Sequence, residues 1–129
     1  MNCIEQAKKI YEICVSSANA GRTLTYREVL DYLGYKARVR GHAIKFGLEL
    51  AWIACAESNL PKLTSIVINK ATGKPTEGGF PLATWKEDKQ KVFKHHKWPP
   101  VDEINWEFMW DNRIELSKTH ATSGFWTRS

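Results

Sequence analysis

Cysteine is scarce in this chain. Cys3, Cys14 and Cys55 are odd in number and lie in helical patterns, which argues against a disulfide framework and predicts reduced thiols in a cytoplasmic protein. They lack the spacing of metal ligands and read as small, mostly buried hydrophobes, so no metal site is expected. Long apolar runs are missing as well. The longest, residues 48–56, is interrupted by Glu49 and is far too short to span a membrane. Residues 1–9 carry charge but no apolar stretch of the kind a signal peptide needs, so none is expected. There is no P-loop, no G-x-G-x-x-G turn, no internal repeat and no low-complexity segment, and no cofactor is expected.

What the chain does have is unevenly placed positive charge. Its 129 residues carry a net charge of +5, with 43% hydrophobic and 26% charged residues, the balance of a single globular core. Nearly all the lysine and arginine falls in residues 1–97. Between residues 101 and 115 the balance reverses: Asp102, Glu103, Glu107, Asp111 and Glu115 stand against Arg113 alone. The expected organisation is therefore a basic domain over residues 1–100, with an acidic, Trp-rich helix and tail over 101–129 packed on it.

Apolar residues at Ile4, Ala7, Ile10, Tyr11, Cys14 and Ala18 predict a helix over 2–18, stopped by Asn19 and Gly21. Thr25 and Glu28 form a capping box for a second helix, which Gly34 ends. A third helix is expected from about Ala37 to about Ser58, although Gly41 and Gly47 interrupt its pattern. The β-branched run 63–69 reads as a buried strand, and "KATGKPTEGG" as turn chemistry. Thr84 and Glu87 predict another capped helix reaching His95. Residues 102–116 predict a last helix, and the tail from Ser117 has little pattern. Helix, helix, helix, strand and glycine-rich turn is the order of a winged helix-turn-helix, here mainly α with a small β element and an additional C-terminal helix.

The stretch "TYREVLDYLGYKARVRGHAIKFG" carries the charge that this order makes meaningful. If the third helix begins at Ala37, then Lys36, Arg38 and Arg40 stand where a recognition helix enters the major groove, with His42 and Lys45 following. Thr25 and Tyr26 are short donors suited to a phosphate, and Arg22 and Arg27 add charge. Lys70 and Lys74 flank the Thr72-Gly73 turn where a wing would lie. The plain alternative is a solvated basic surface. Against it, three cations at a helix start oppose the macrodipole, a small cost that a bound anion would explain.

Thr25-Tyr26, then Arg38-Val39-Arg40-Gly41-His42-Ala43-Ile44, then Val67-Ile68-Asn69, Gly79-Phe80 and Lys86 or Lys89 occur in an order that resembles the DNA-binding domain of O6-alkylguanine-DNA alkyltransferases and alkyltransferase-like proteins. The resemblance covers about residues 24–93. It implies a winged-helix fold, a phosphate contact from Tyr26, and in Arg38 the arginine that fills the stack when a base is flipped. The family's Pro-Cys-His-Arg corresponds to Leu63-Thr64-Ser65-Ile66, so the nucleophilic cysteine is replaced by Thr64 and its histidine by Ser65. A threonine hydroxyl without a paired base is a poor nucleophile, so no alkyl transfer is expected. With the pocket motif missing, Arg38 is left to read a base edge or neutralise a phosphate. An insertion, mostly helical in pattern, separates Gly41 from the strand.

His95 and His96 are adjacent, point apart on a helix and read as structural or surface residues. Trp98, Trp106, Trp110 and Trp126 crowd the last third; Trp106 and Trp110 share a helix face and are candidates for core or interface. The reading that follows is a non-catalytic, duplex-DNA-binding protein, a regulator or altered-DNA sensor. Two rivals stand beside it. One is a protein-interaction module on the same scaffold, accessory or immunity-type, with a partner or a second copy on the Trp-rich helix. The other is a small nuclease using Lys118 and His120.

Overall fold

The computed structural model describes residues 1–75 and 81–127, and within them the chain is mainly helical with one small two-stranded sheet. Helix α1, Cys3–Asn19, is opened by Asn2, whose side chain accepts the Glu5 N–H at 2.9 Å. It ends at Gly21 (φ +71°), where the Arg22 and Gly21 amides return to the Ser17 and Ala18 carbonyls. Helix α2, Tyr26–Tyr32, has the expected capping box. Thr25 Oγ1 accepts the Glu28 N–H at 3.1 Å, and the Glu28 carboxylate accepts the Thr25 N–H at 3.0 Å. Gly34 (φ +84°) closes α2 with the same pair of returning amides, Tyr35 to Leu30 and Gly34 to Asp31.

Helix α3 departs from expectation. It spans Lys45–Glu57, preceded by a 3-10 turn at Gly41–Ile44, so Ala37 starts no helix and residues 35–40 form a loop. The reason is local competition for carbonyls. The Arg27 guanidinium donates to the Ala37 and Val39 oxygens at 2.8 and 3.0 Å, and Gln6 Nε2 donates to the Ala43 oxygen at 3.1 Å. Carbonyls turned toward side chains do not seed a helical ladder. The cations therefore precede α3 instead of opposing its dipole, and the electrostatic cost expected of them does not arise.

The buried run after Pro61 is also shorter as a strand. Residues Leu63–Ile66 form a 3-10 turn, and β2, Val67–Ile68, pairs in parallel with β1, Leu24–Thr25. The Ser65 carbonyl accepts the Trp85 indole N–H at 2.7 Å, so this backbone group is partnered outside a ladder. Helix α4, Trp85–Lys94, follows. Its N-cap is Thr84, but that hydroxyl donates to Asp88 at 2.9 Å and no capping box with Glu87 forms. Glu77, Gly78 and the Gly79-Phe80 step lie outside the described residues.

The single C-terminal helix expected over 102–116 is three pieces: a 3-10 turn at Val101–Glu103, α5 at Trp106–Asp111, and α6 at Arg113–His120. Asn105 caps α5 by accepting the Phe108 N–H at 3.0 Å. The Phe108 carbonyl accepts both the Asn112 N–H, at 3.1 Å, and the Asn112 side-chain amide, at 3.0 Å, and α5 ends there as the Asn112 backbone leaves helical geometry (φ −108°, ψ 17°). Ile104, Trp106, Met109 and Leu116 belong to the same core as Ala7, Ile10, Cys14 and Leu50, which is built where α1 lies against α3. Trp52 and Trp85 form a second, smaller cluster.

Candidate nucleic-acid interface

Three segments meet around Tyr26. The strand register sets Thr25 opposite Ile68, which brings the tight turn of residues 69–74 beside the start of α2. That turn is closed by the Asn69 N–H to the Lys74 carbonyl at 2.7 Å and by the Gly73 N–H to Asn69 at 2.8 Å, leaving Lys70 and Lys74 exposed. From the other side, Gly41 comes so close to Tyr26 that a Cβ on it would stand 3.7 Å from the Tyr26 side chain. The basic loop and the Lys70–Lys74 turn thus each adjoin the start of α2.

The loop itself is held from two directions. Arg27, besides its two short bonds to Ala37 and Val39, pairs with Asp31 at 3.0 Å. From α1, the buried Gln6 donates to the Tyr35 hydroxyl at 2.9 Å and to the Ala43 carbonyl, while its own oxygen accepts the Gly47 N–H at 3.1 Å. Gly47 has to be glycine for this to occur, because a Cβ there would lie 2.3 Å from the Gln6 oxygen. Lys36, Arg38, Arg40 and His42 are exposed on the braced loop, with no hydrogen bond or ion pair from their side chains among the described residues.

Other expected contact residues are occupied differently. Arg27, expected to add charge to the face, also braces the loop. Arg22 reaches Glu28 at 3.4 Å from an exposed position. Lys45, half-buried, turns toward the rings of Phe46 and Phe125, at 5.2 and 5.3 Å. Trp106 is an intramolecular anchor and not an interface residue. It is buried edge-on against Tyr11 at 5.9 Å, and its N–H donates to the Val101 carbonyl. Trp110 is half-buried beneath the Arg113 guanidinium at 3.9 Å and beside Trp126.

Burial pushes the Cys55 thiol up to about 12, opposed by the Leu63 N–H, and drives Cys14 higher still. It takes half-buried Cys3 to about 11, with the Arg113 charge pulling the other way. None of the three is a thiolate at neutral pH. Thr64 and Ser65 are themselves buried. His120 pairs with Glu57 at 2.8 Å, and His95 packs edge-on against Trp98. Among the described residues no group of His, Cys, Asp and Glu is placed to hold a metal ion, and no helix is long and apolar enough to cross a membrane.

Sequence reasoning missed Gln6, the residue that ties the loop to the core, and Glu49. The latter is a buried carboxylate on α3 that accepts the Ser117 hydroxyl at 3.1 Å and the Phe125 N–H at 2.8 Å. Through it the tail, expected to be patternless, is fastened to α3. The sequence signal for Gln6 was Gly47, a glycine inside a helical pattern that marks a close approach. No protein-family model, curated protein or solved structure matches this chain.

Proposed function

We propose that this is a non-catalytic protein of winged-helix type that binds duplex DNA through Lys36, Arg38, Arg40 and His42, with Lys70 and Lys74 on the backbone beside them and Thr25 and Tyr26 between. The observation that carries the reading is that the free cations stand on a loop fixed in advance by Arg27 and Gln6. A surface built only for solvation has no need of a buried glutamine to hold it. Preorganised cations lose little entropy on meeting phosphate. In this reading the turn of residues 69–74, which follows β2 beside the start of α2, serves as the wing.

A salt-dependent titration tests it. Duplex DNA should bind with a linear fall of log affinity against log salt, and Arg38→Ala with Arg40→Ala should lower the slope by about two units without unfolding the protein. Unchanged affinity and slope would remove the loop from the interface. A second reading, as a protein-interaction module, draws on Phe108 and Ile114, which are exposed on α5 and α6.

A further inference from the structure

The basic loop runs straight into an aromatic patch that duplex binding does not use. Arg40 precedes the 3-10 turn Gly41–Ile44, whose four residues span about 8 Å, and Lys45 and Phe46 open α3 immediately after it. Phe46 is 38% exposed. The tail, fastened by the buried Glu49, returns to this same point. Trp126 lies 5.2 Å from the Phe46 ring at a tilt of 35°, and Phe125 meets Phe46 edge-on at 6.0 Å. Trp110 stands behind Trp126 at 6.2 Å. The cations at this patch are Lys45, over Phe46 and Phe125, and Arg113, over Trp110 and Trp126.

We infer that this patch is a stacking platform for an unpaired base, so that the preferred ligand is DNA in which a duplex adjoins a single strand. This deepens the duplex reading above and rests on it. An exposed ring, Phe46, backed by half-buried rings and bordered by cations suits a nucleobase, because a base offers a π-face to the ring while its phosphate meets the charge. The contrast within the molecule points the same way. Phe108 is also exposed, but it stands between Glu107 and Asp111, carboxylates that repel phosphate, whereas Phe46 lies beside Lys45 at the exit of the basic loop. A strand leaving a duplex held by Arg38 and Arg40 would reach Phe46 within a few nucleotides.

The test compares a blunt duplex with the same duplex carrying an unpaired overhang, by fluorescence anisotropy at fixed salt. The overhang should be preferred about tenfold, the scale of one base stacked on one ring. Phe46→Ala and Phe46→Leu should both abolish the preference and leave blunt-duplex affinity as it was. The leucine variant keeps apolar bulk at the site, so losing the preference there reports the ring itself. Equal affinity of the unaltered protein for the two ligands, or a preference that survives in Phe46→Leu, would overturn the platform while leaving the duplex reading intact. Absence of binding to either ligand would overturn both. Self-association that disappears in Phe46→Ala, with no overhang preference, would give the patch to a second copy of the chain and end the proposal.

Discussion

The basic loop of residues 35–44 and the acidic segment of residues 101–120 look alike in sequence: each is a charged stretch with helical periodicity. In the structure they are opposites. The loop is not helical until Gly41, faces outward, and is held by side chains reaching into it from α1 and α2. The acidic segment is helical, and its apolar residues Ile104, Trp106, Met109 and Leu116 enter the common core. Charge marks which surface is wet in both cases. What separates them is where the backbone carbonyls go: to a side-chain guanidinium and an amide in one, and largely to the helical ladder in the other.

The sharpest way to break this comparison is at Trp106. If the acidic segment is core, Trp106→Ala should destabilise the protein by about 3–5 kcal/mol, the range for deleting a large buried aromatic. The Val101 carbonyl loses its indole donor as well. Urea denaturation measures it. A loss below about 1 kcal/mol would mean that the segment is an appendage, with the core complete without it.

Gly47 tests the other side. Gly47→Ala forces a methyl group against the Gln6 amide and should cost about 1–3 kcal/mol, as overpacking does. Gly41→Ala, whose Cβ meets only ordinary contact with Tyr26, should be tolerated, within about 0.5 kcal/mol. Both glycines interrupt the same helical pattern, so the sequence does not rank them. Equal effects in the two variants would show that the Gln6 bridge does not hold the loop.

This pair also shows how far the sequence could be read. The capping box at Thr25–Glu28, the ends at Gly21 and Gly34, and the core face of α1 were legible because each depends on residues within one helical turn of each other. The start of α3 was not, because it is decided by Gln6 and Arg27, the first of them far away in the chain. The anchoring of Phe125 by Glu49 escaped for the same reason: a side chain meets a distant amide, and such a contact has no period. For the site, the loop cations were found by charge alone. The intramolecular contacts of Arg27 and Lys45 were not legible, because a cation that reaches its own chain has the same letter as one that faces solvent.

Arg27 therefore separates bracing from contact. Arg27→Leu should weaken duplex binding several-fold, about 1 kcal/mol, by loosening Ala37 and Val39. It should leave the salt slope nearly as steep as before, since no phosphate contact is removed. Arg38→Ala should lower both affinity and slope. A slope that falls by a full unit in Arg27→Leu would return this residue to the interface.

The smallest effect concerns the capping box that orients Arg27. The Glu28 carboxyl is held below its ordinary value, first by the Thr25 backbone N–H, with the Thr25 hydroxyl and Arg22 adding to it and partial burial opposing. A lowered folded-state value means that this contribution to stability is complete above the unfolded value of about 4.3. It is then lost as pH falls through the lower folded value. The side chain is 44% exposed, so solvent screens the ion pair and the effect should amount to a few tenths of a kcal/mol. Glu28→Gln retains an oxygen acceptor for the Thr25 amide but not the charge. Urea midpoints of the unaltered protein and Glu28→Gln should differ slightly at pH 6, favouring the carboxylate, and converge as the pH falls through the lowered folded value. Raising the salt should shrink the share due to Arg22 and leave the share due to the backbone bond. A difference that stays constant across that range would show that the charge on Glu28 contributes nothing to the fold of α2, and that the brace on the loop begins at Arg27 itself.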